Sequence, residues 1–336
     1  MLRTLLSTLL VASLISPVPG DPKVVISAWE LSGADRVTGG LFVADDELVG
    51  SVLFVPADVV EKNTTPLAAR LIKIDRGWKA SEPNTPGVPN LLAVQDIEGI
   101  ATDGKERVYL LGSHQPKDRK EKEWPAPRPI RRKDREFLLE CKWDIEQGEL
   151  RLRAVAPDFA ALAVRSLAAA GIKVELTDTT LGSDFNAEGL AYNSAAKQLF
   201  VGLRSPVEKG KALVLAGAVD DFFKPQADTT LAVHQLDLGG AGVRSLHHDA
   251  VSGRILILAG AAGEEKTVPT LWAWEGTAAA APRAVLKLEG QGYGPGTPEG
   301  ICRDNAGNLV LTWDIDTGIN ATIQRLNITP AQLRGE

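Results

Sequence analysis

Short apolar runs of strand length recur along the chain, and a pair of residues suited to a turn precedes each run. The runs are rich in Leu, Ile and Val and lie at residues 41–44, 108–111, 199–202, 255–258 and 309–312. The preceding pairs, such as Gly39 with Gly40 and Asp103 with Gly104, favour tight connections between antiparallel strands. The pattern therefore predicts five β-hairpins spread over the chain.

A short motif precedes three of these hairpins. It reads Asp-Ile-Glu-Gly-Ile-Ala at residues 96–101, Asn-Ala-Glu-Gly-Leu-Ala at 186–191 and Thr-Pro-Glu-Gly-Ile-Cys at 297–302, with weaker copies at 31–34 and 244–246. Repeats of roughly 50 to 90 residues with several short strands in each are typical of β-propellers. We therefore predict an all-β, five-bladed β-propeller, with six blades as the alternative.

Two further elements belong to the predicted fold. The last repeat shows only three strands, so we expect a strand at residues 23–29 to complete the last blade and cover its edge. Residues 158–170 carry apolar side chains at helical spacing after Asp158, which predicts a short helix capped by that aspartate. Residues 115–136 form a second insertion, which is rich in Lys and Arg.

The N-terminus has the pattern of an export signal. Arg3 precedes an apolar run at residues 5–15, and compact residues lead up to Gly20. We predict that residues 1–20 are a secretory signal peptide cleaved near Gly20, and that residues 21–336 form a single propeller domain. The protein is then expected to be secreted or periplasmic, with no membrane partner.

The composition of the chain bears on its expected partners and on disulfide bonding. The chain has 37 basic and 43 acidic residues, giving a net charge of -6, so we do not expect nucleic acid as a partner. Its two cysteines, Cys141 and Cys302, are too few for a disulfide framework.

In a propeller the first strand of each blade lines the central channel, so a repeated residue type at the start of that strand forms a ring. Aligning the glycines of the repeats predicts a ring of Ser32, Glu98, Glu188, Ser245 and Glu299. Crowded carboxylates repel one another unless a cation relieves the repulsion. An oxygen-only, flexible ring suits Ca²⁺ better than Mg²⁺. We therefore expect these five residues to be the metal ligands of a calcium site.

A second alignment leads to a different ring. If the repeats are aligned by their distance from the hairpins instead of by their glycines, Arg244 or Glu30 takes a position in the ring. Arg244 and Ser245 are neighbours on one strand and should point to opposite faces. If Arg244 points into the channel, the ring is expected to be an ion-pair cluster without a metal.

The same face of the propeller should collect other polar residues, because the second strand of each hairpin returns to the end where the first began. The residues so placed are Asp45, Asp46, Glu47, Ser113, His114, Arg204, Ser205, Asp314 and Asp316. We expect the general base among Asp45, Asp46, His114 and Asp314. Arg204 and Arg244 are expected to hold an anionic substrate. Alternatively, His114 is a packing histidine and Arg204 is an ion-pair partner of a ring carboxylate.

Several motifs together carry a resemblance to a known family. They are Glu-Leu-Ser-Gly-Ala at residues 30–34, Val-Ala-Asp-Asp-Glu at 43–47, the Glu-Gly copies, Leu-Arg-Ser-Pro at 203–206 and Gly-Val-Arg-Ser-Leu at 242–246. In this order they resemble the bacterial domain of unknown function 3616 across nearly all of residues 21–336, a resemblance that implies no particular reaction. The ring is more distantly similar to that of calcium-activated nucleotidases (apyrases), five-bladed propellers with a central calcium, and the phytase-like propellers share the Glu-Gly motif.

Two functions are compatible with these patterns. The first is a calcium-dependent hydrolase that acts on an anionic phosphorylated or ester small molecule, with the cation and the arginines stabilising developing charge. The alternative is a non-enzymatic propeller that binds a ligand or a protein and whose ring is structural.

Overall fold

The computed structural model describes residues 31–45, 48–62, 68–75, 94–115, 117–118, 129–130, 134–176, 185–263, 266–289, 296–315 and 323–336. The predicted signal peptide and the predicted strand at residues 23–29 lie outside the described residues, as does most of the basic insertion. Within the described part, nearly all regular structure is β-strand. None of the helices found there is long and apolar enough to cross a membrane.

The first two repeats together form one sheet of eight strands. The first repeat contains β1 (Leu31–Val37), β2 (Gly40–Asp45), β3 (Ser51–Pro56), helix α1 (Ala57–Lys62) and β4 (Arg70–Asp75). The second contains β5 (Ile97–Thr102), β6 (Arg107–Gly112), the short strands β7 (Lys117–Asp118) and β8 (Pro129–Ile130), β9 (Leu138–Asp144) and β10 (Glu149–Val155). Each repeat is an antiparallel four-stranded unit, and the outer strands β4 and β10 join the two units by parallel pairing.

The remaining repeats form separate antiparallel sheets. Helix α2 (Phe159–Ala169) leads to a sheet of β11 (Asn186–Asn193), β12 (Gln198–Glu208), β13 (Lys211–Ala218) and β14 (Ala232–Leu236), with α3 (Val219–Phe223) between β13 and β14. The next sheet contains β15 (Gly242–Asp249), β16 (Arg254–Gly260), β17 (Thr270–Trp274) and β18 (Arg283–Lys287). The last contains β19 (Thr297–Arg303), β20 (Leu309–Asp314) and β21 (Ile323–Leu326), followed by α4 (Pro330–Arg334). The five predicted hairpins are confirmed.

The first strands of the repeats close a ring. Strand β1 contacts β5, β5 contacts β11, β11 contacts β15, β15 contacts β19, and β19 contacts β1. Apolar side chains pack between successive sheets, and one such cluster joins Leu31 and Leu53 of the first sheet to Cys302 and Val310 of the last. The described chain is thus a closed, propeller-like array of antiparallel sheets. Burial of apolar surface between neighbouring sheets stabilises the array.

Helix α2 confirms the predicted helical insertion. Its first turn is capped by the Asp158 side chain, whose Oδ1 accepts a hydrogen bond from the backbone N–H of Ala161 at 3.1 Å. Its apolar face, which includes Phe159 and Leu167, is buried in the cluster between the second and third repeats. The helix therefore covers the joint between these two repeats.

The glycine of the repeated motif permits a close approach between neighbouring inner strands. A Cβ atom added at Gly300 would meet Thr312 Oγ1 and would lie 2.5 Å from the backbone oxygen of Ser32 on β1. At Gly33, an added Cβ would lie 2.5 Å from the backbone oxygen of Glu98 on β5. These neighbours belong largely to the backbone and cannot turn aside, so each position requires a residue without a side chain.

We predict that Gly300→Ala lowers the free energy of unfolding by about 3 kcal/mol, because the new methyl group overpacks the contact between β19 and β1. Urea unfolding monitored by tryptophan fluorescence measures this change. The matched control is Gly239→Ala. Gly239 has a φ of +70° and no atom within 4 Å of an added Cβ, so that substitution costs only about 1 kcal/mol of backbone strain. A loss at Gly300 no larger than that at Gly239 would contradict the steric argument.

Candidate functional site

A β-bulge directs the key side chain of each repeat toward the channel. On β5, Ile97 pairs with Gly112 and Gly99 pairs with Leu111, so Glu98 is the extra residue of a bulge in the ladder. The same shift in register occurs at three further positions, which are Glu188 on β11, Arg244 on β15 and Glu299 on β19. On β1 the shift falls at Ser32 and Gly33. A bulge re-aims the extra side chain, which explains why these residues meet at one mouth.

These side chains surround a small cavity, here called the central cavity. It has a volume of about 90 Å³ and is lined by Ser32, Glu98, Glu188, Arg204, Arg244, Glu299 and Asp314. Ser245 does not line it, because that residue stays in the ladder and pairs with Leu258. The fifth position of the ring is therefore occupied by Arg244, as the count from the hairpins placed it.

Two arginines neutralise part of the charge of the ring. Arg244 Nη1 lies 2.6 Å from Glu299 Oε1 and 3.5 Å from Glu188 Oε2, so one guanidinium lies between two carboxylates from different strands. Arg204 Nη1 donates to Glu188 Oε1 at 2.9 Å, and its Nε donates to the backbone oxygen of Ala261 at 3.3 Å. These three guanidinium nitrogens are therefore already bonded to other groups of the protein.

Burial shapes the protonation of the ring. Burial raises the pKa of Glu299 to about 8, and the Glu188 carboxylate adds to this rise while Arg244 and Arg204 oppose it. Burial lowers the pKa of Arg244, but Glu188 and Glu299 reverse that effect and leave the pKa above its ordinary value. Arg244 thus stays charged, whereas Glu299 holds a proton more tightly than an exposed glutamate does.

Glu188 is the most enclosed acid of the ring. Its side chain is 3% exposed, and its Oε1 accepts hydrogen bonds from Arg204 and, at 2.9 Å, from Asn186 Nδ2. Its second oxygen, Oε2, is buried and accepts no hydrogen bond within the protein. The cavity wall therefore carries one acceptor with unused capacity.

The donor set does not fit the predicted calcium ion in this arrangement. Calcium takes six to eight oxygen ligands, whereas the space between Glu188 and Glu299 is held by the Arg244 guanidinium. Among the residues that the structure describes, no three His, Cys, Asp or Glu side chains are grouped to hold a metal ion. The positive charge between these two glutamates is the Arg244 guanidinium.

The predicted general bases are not brought together. Asp314 lines the central cavity, whereas Asp45 is buried at the end of β2 and lies outside its lining. Asp46 lies outside the described residues. The His114 ring packs edge-on against Phe159 of α2, with centroids 5.0 Å apart, and its Nδ1 lies 2.7 Å from the backbone oxygen of Gly112. His114 thus belongs to the packing under α2.

A second polar cluster, which the sequence did not reveal, joins the opposite ends of the inner strands. Arg303 on β19 forms two bonds to Asp249 on β15, at 2.6 and 2.9 Å, and His247 Nδ1 lies 3.3 Å from Asp35 Oδ1 on β1. Burial alone would raise the pKa of Asp249, but Arg303 and Ser252 hold it at about 2. Polar contacts between repeats therefore occur at both ends of the channel.

The solved structures found by comparison are only distantly similar to this chain. Glutaminyl cyclase of Myxococcus xanthus is 12% identical with a TM-score of 0.44, and the match covers 91% of this chain and 94% of that one. The WD40 repeats of RRP9 are 11% identical with a TM-score of 0.38, covering 93% and 98%. A glucose dehydrogenase is 11% identical with a TM-score of 0.37, covering 90% and 97%. All are too distant to support a statement about function.

Sequence comparison finds a family model that matches part of the chain. No curated protein matches the chain. Residues 180–317, which include β11 to β20 and three of the ring residues, match the model of the family described as Protein of unknown function (DUF3616). The resemblance predicted from the motifs is confirmed over this segment.

Proposed function

We propose that the protein is a five-bladed, non-enzymatic propeller that binds a ligand at its central mouth, and that its charged ring is structural. The five inner strands in cyclic contact support the number of blades. The observation that carries the proposal is the Arg244 guanidinium, which lies between Glu188 and Glu299 and joins three repeats. A buried group that neutralises two carboxylates stabilises the closed ring without an added ion.

Two features support binding over catalysis. The central cavity, at about 90 Å³, is small beside the roughly 300–1,000 Å³ of sites that enclose organic ligands. Arg204 and Arg244 already donate to glutamates, so these bonds are not available to stabilise charge that develops on a substrate.

A calcium-dependent hydrolase of an anionic phosphorylated or ester small molecule is the second candidate. The excess of carboxylates over guanidiniums in the cavity lining favours it, and Asp314 is the predicted base that lines the cavity. The two candidates differ in whether a divalent cation stabilises the protein and in whether the protein turns over a substrate.

We predict that Arg244→Ser lowers the free energy of unfolding by about 3–5 kcal/mol, because it leaves buried carboxylates without their counter-charge. The substitution also supplies an oxygen in place of the guanidinium. Calcium is therefore expected to raise the melting temperature of the variant, whereas the unsubstituted protein is expected to melt at the same temperature in chelator and in calcium. Differential scanning fluorimetry measures both.

The matched control for this experiment is Arg254→Ser, which removes an arginine paired with the exposed Glu275 and should cost less than about 1 kcal/mol. A panel of phosphate esters, phosphoanhydrides, carboxyl esters and lactones tests for turnover in parallel. Two results together would contradict the structural ring and support the hydrolase. They are a calcium-selective rise in the melting temperature of the unsubstituted protein and hydrolysis that a chelator stops.

We predict that Glu299 contributes stability that falls as the pH rises. Its folded-state pKa of about 8 lies above the ordinary value of 4.5, so the folded state holds this proton more tightly than the unfolded chain does. The contribution is complete below pH 4.5 and is lost as the pH rises through 8. Urea unfolding in chelator from pH 5 to 9 should show this fall, and Glu299→Gln should remove it.

The quantity to compare is the difference between variant and unsubstituted protein at each pH. Burial lowers the pKa of His234 and of His248, and these groups add a slope of the opposite sign near pH 6. Glu275→Gln, at an exposed position, is the matched control and should leave the profile unchanged. A Glu299→Gln profile parallel to that of the unsubstituted protein would show that Glu299 is ionised throughout.

The N-terminal pattern supports a further proposal, that the protein is exported and released near Gly20 into the periplasm or the medium. Expression of the full chain in a Gram-negative host is expected to give a mature protein that begins near Asp21, as read by intact-mass measurement of the periplasmic fraction. A chain without residues 2–20 is the control and should stay in the cytoplasm. A full-length chain that is found only in the cytoplasm with residues 1–20 intact would contradict export.

A further inference from the structure

We propose that the central cavity binds a small cation that donates N–H bonds, namely the ammonium group of a protonated primary amine. The inference rests on the proposed binding function and names the class of ligand. It is opposite in charge to the anionic molecule that the sequence alone suggested.

The first argument is the charge of the cavity lining. Among the described residues that line the cavity, Glu98, Glu188, Glu299 and Asp314 outnumber the two guanidiniums by two negative charges when all are ionised. Protonation of Glu299 reduces the excess without reversing its sign. In a partly enclosed site this charge attracts a cation and repels an anion.

The second argument is the unused acceptor on Glu188. Its side chain lines the cavity, its Oε2 is buried and accepts no hydrogen bond, and its Oε1 is bonded to Arg204 and Asn186. The nearest charged donor recorded for Oε2 is Arg244 Nη1 at 3.5 Å, and that nitrogen is bonded to Glu299 at 2.6 Å. A ligand N–H that bonds Oε2 would satisfy a buried charged acceptor that the fold leaves open.

The third argument separates an amine from a metal ion. Four carboxylates line the cavity, but no three described His, Cys, Asp or Glu side chains are grouped to hold a metal ion, and calcium requires six to eight oxygens. An ammonium group has three N–H donors and needs only a few acceptors. The ring already binds nitrogen donors from Arg204, Arg244 and Asn186, so its carboxylates are arranged for this kind of partner.

An anion is the competing ligand, because Arg244 Nε is also buried without a hydrogen bond. The net charge decides against it, since an anion at that nitrogen would lie among four carboxylates. The two ligand classes are separated by experiment, with methylammonium and acetate as probes of similar size and opposite charge.

The test is ligand-observed NMR and calorimetric titration of the intact protein with methylammonium chloride. Sodium chloride controls for ionic strength, tetramethylammonium chloride for a cation without N–H donors, and sodium acetate and calcium chloride represent the competing ligands. We expect methylammonium to bind, and Glu188→Gln to weaken its binding about tenfold or more, since a hydrogen bond to a charged acceptor is lost. The matched control Glu275→Gln, at an exposed position outside the cavity lining, should bind as the unsubstituted protein does.

Each outcome decides the proposal. If Glu188→Gln does not fold, Asp314→Asn at the cavity wall replaces it, and weaker methylammonium binding by that variant supports the site. The proposal is overturned by tetramethylammonium binding as well as methylammonium, by binding of acetate or calcium alone, by no binding, or by methylammonium binding that survives the substitutions. Methylammonium offers no bond for hydrolysis, so these results are independent of the substrate panel that tests the proposed function.

Discussion

One guanidinium joins three repeats of the closed ring. Arg244 lies between Glu188 and Glu299, and these three residues come from three different inner strands. Parallel packing of equivalent strands brings equivalent residues to one mouth, so a repeated glutamate would gather like charges there. Replacing one member of the set by an arginine turns this repulsion into attraction between repeats. At the other end of the channel, Arg303 and Asp249 provide a second ionic contact between neighbouring inner strands.

The Glu-Gly motif links the sequence to this geometry through two separate physical effects. The bulge at the first residue removes it from the ladder and turns its side chain toward the channel, as the register around Glu98 shows. The glycine that follows leaves room for the next inner strand, as at Gly300 beside the backbone of Ser32. A chain without the glycine would hold the strands apart, and one without the bulge would turn the charge away from the channel. The pair therefore acts as a unit.

Much of the fold could be predicted, because hairpins are encoded locally. Apolar runs after turn residues placed the strands, and Asp158 before apolar residues at helical spacing placed α2. The members of the ring were harder to predict than the strands. Arg244 and Ser245 are adjacent, and only the position of the bulge decides which side chain enters the channel. His114 was a candidate base because the second strand of a hairpin returns to the face where the first strand begins. That geometry contains no information on packing beneath α2. The Asp35 and His247 contact joins distant segments that share no motif.

The neutralisation that stabilises the ring also limits its chemistry. Arg204 and Arg244 donate to buried glutamates, and an anion that took over these particular bonds would leave those carboxylates without an arginine partner. That exchange costs several kcal/mol for each charge left unpaired, which is more than a small exposed anion recovers. The acceptors carry no such restriction, because Glu188 Oε2 is desolvated before any ligand arrives. The oxygen already loses its water when the protein folds. A donor that reaches it therefore forms a hydrogen bond with little further desolvation cost for that oxygen. Because Arg244 Nε is a buried donor that is unsatisfied as well, the proposed preference for a cation rests on the excess of carboxylates in the described cavity lining.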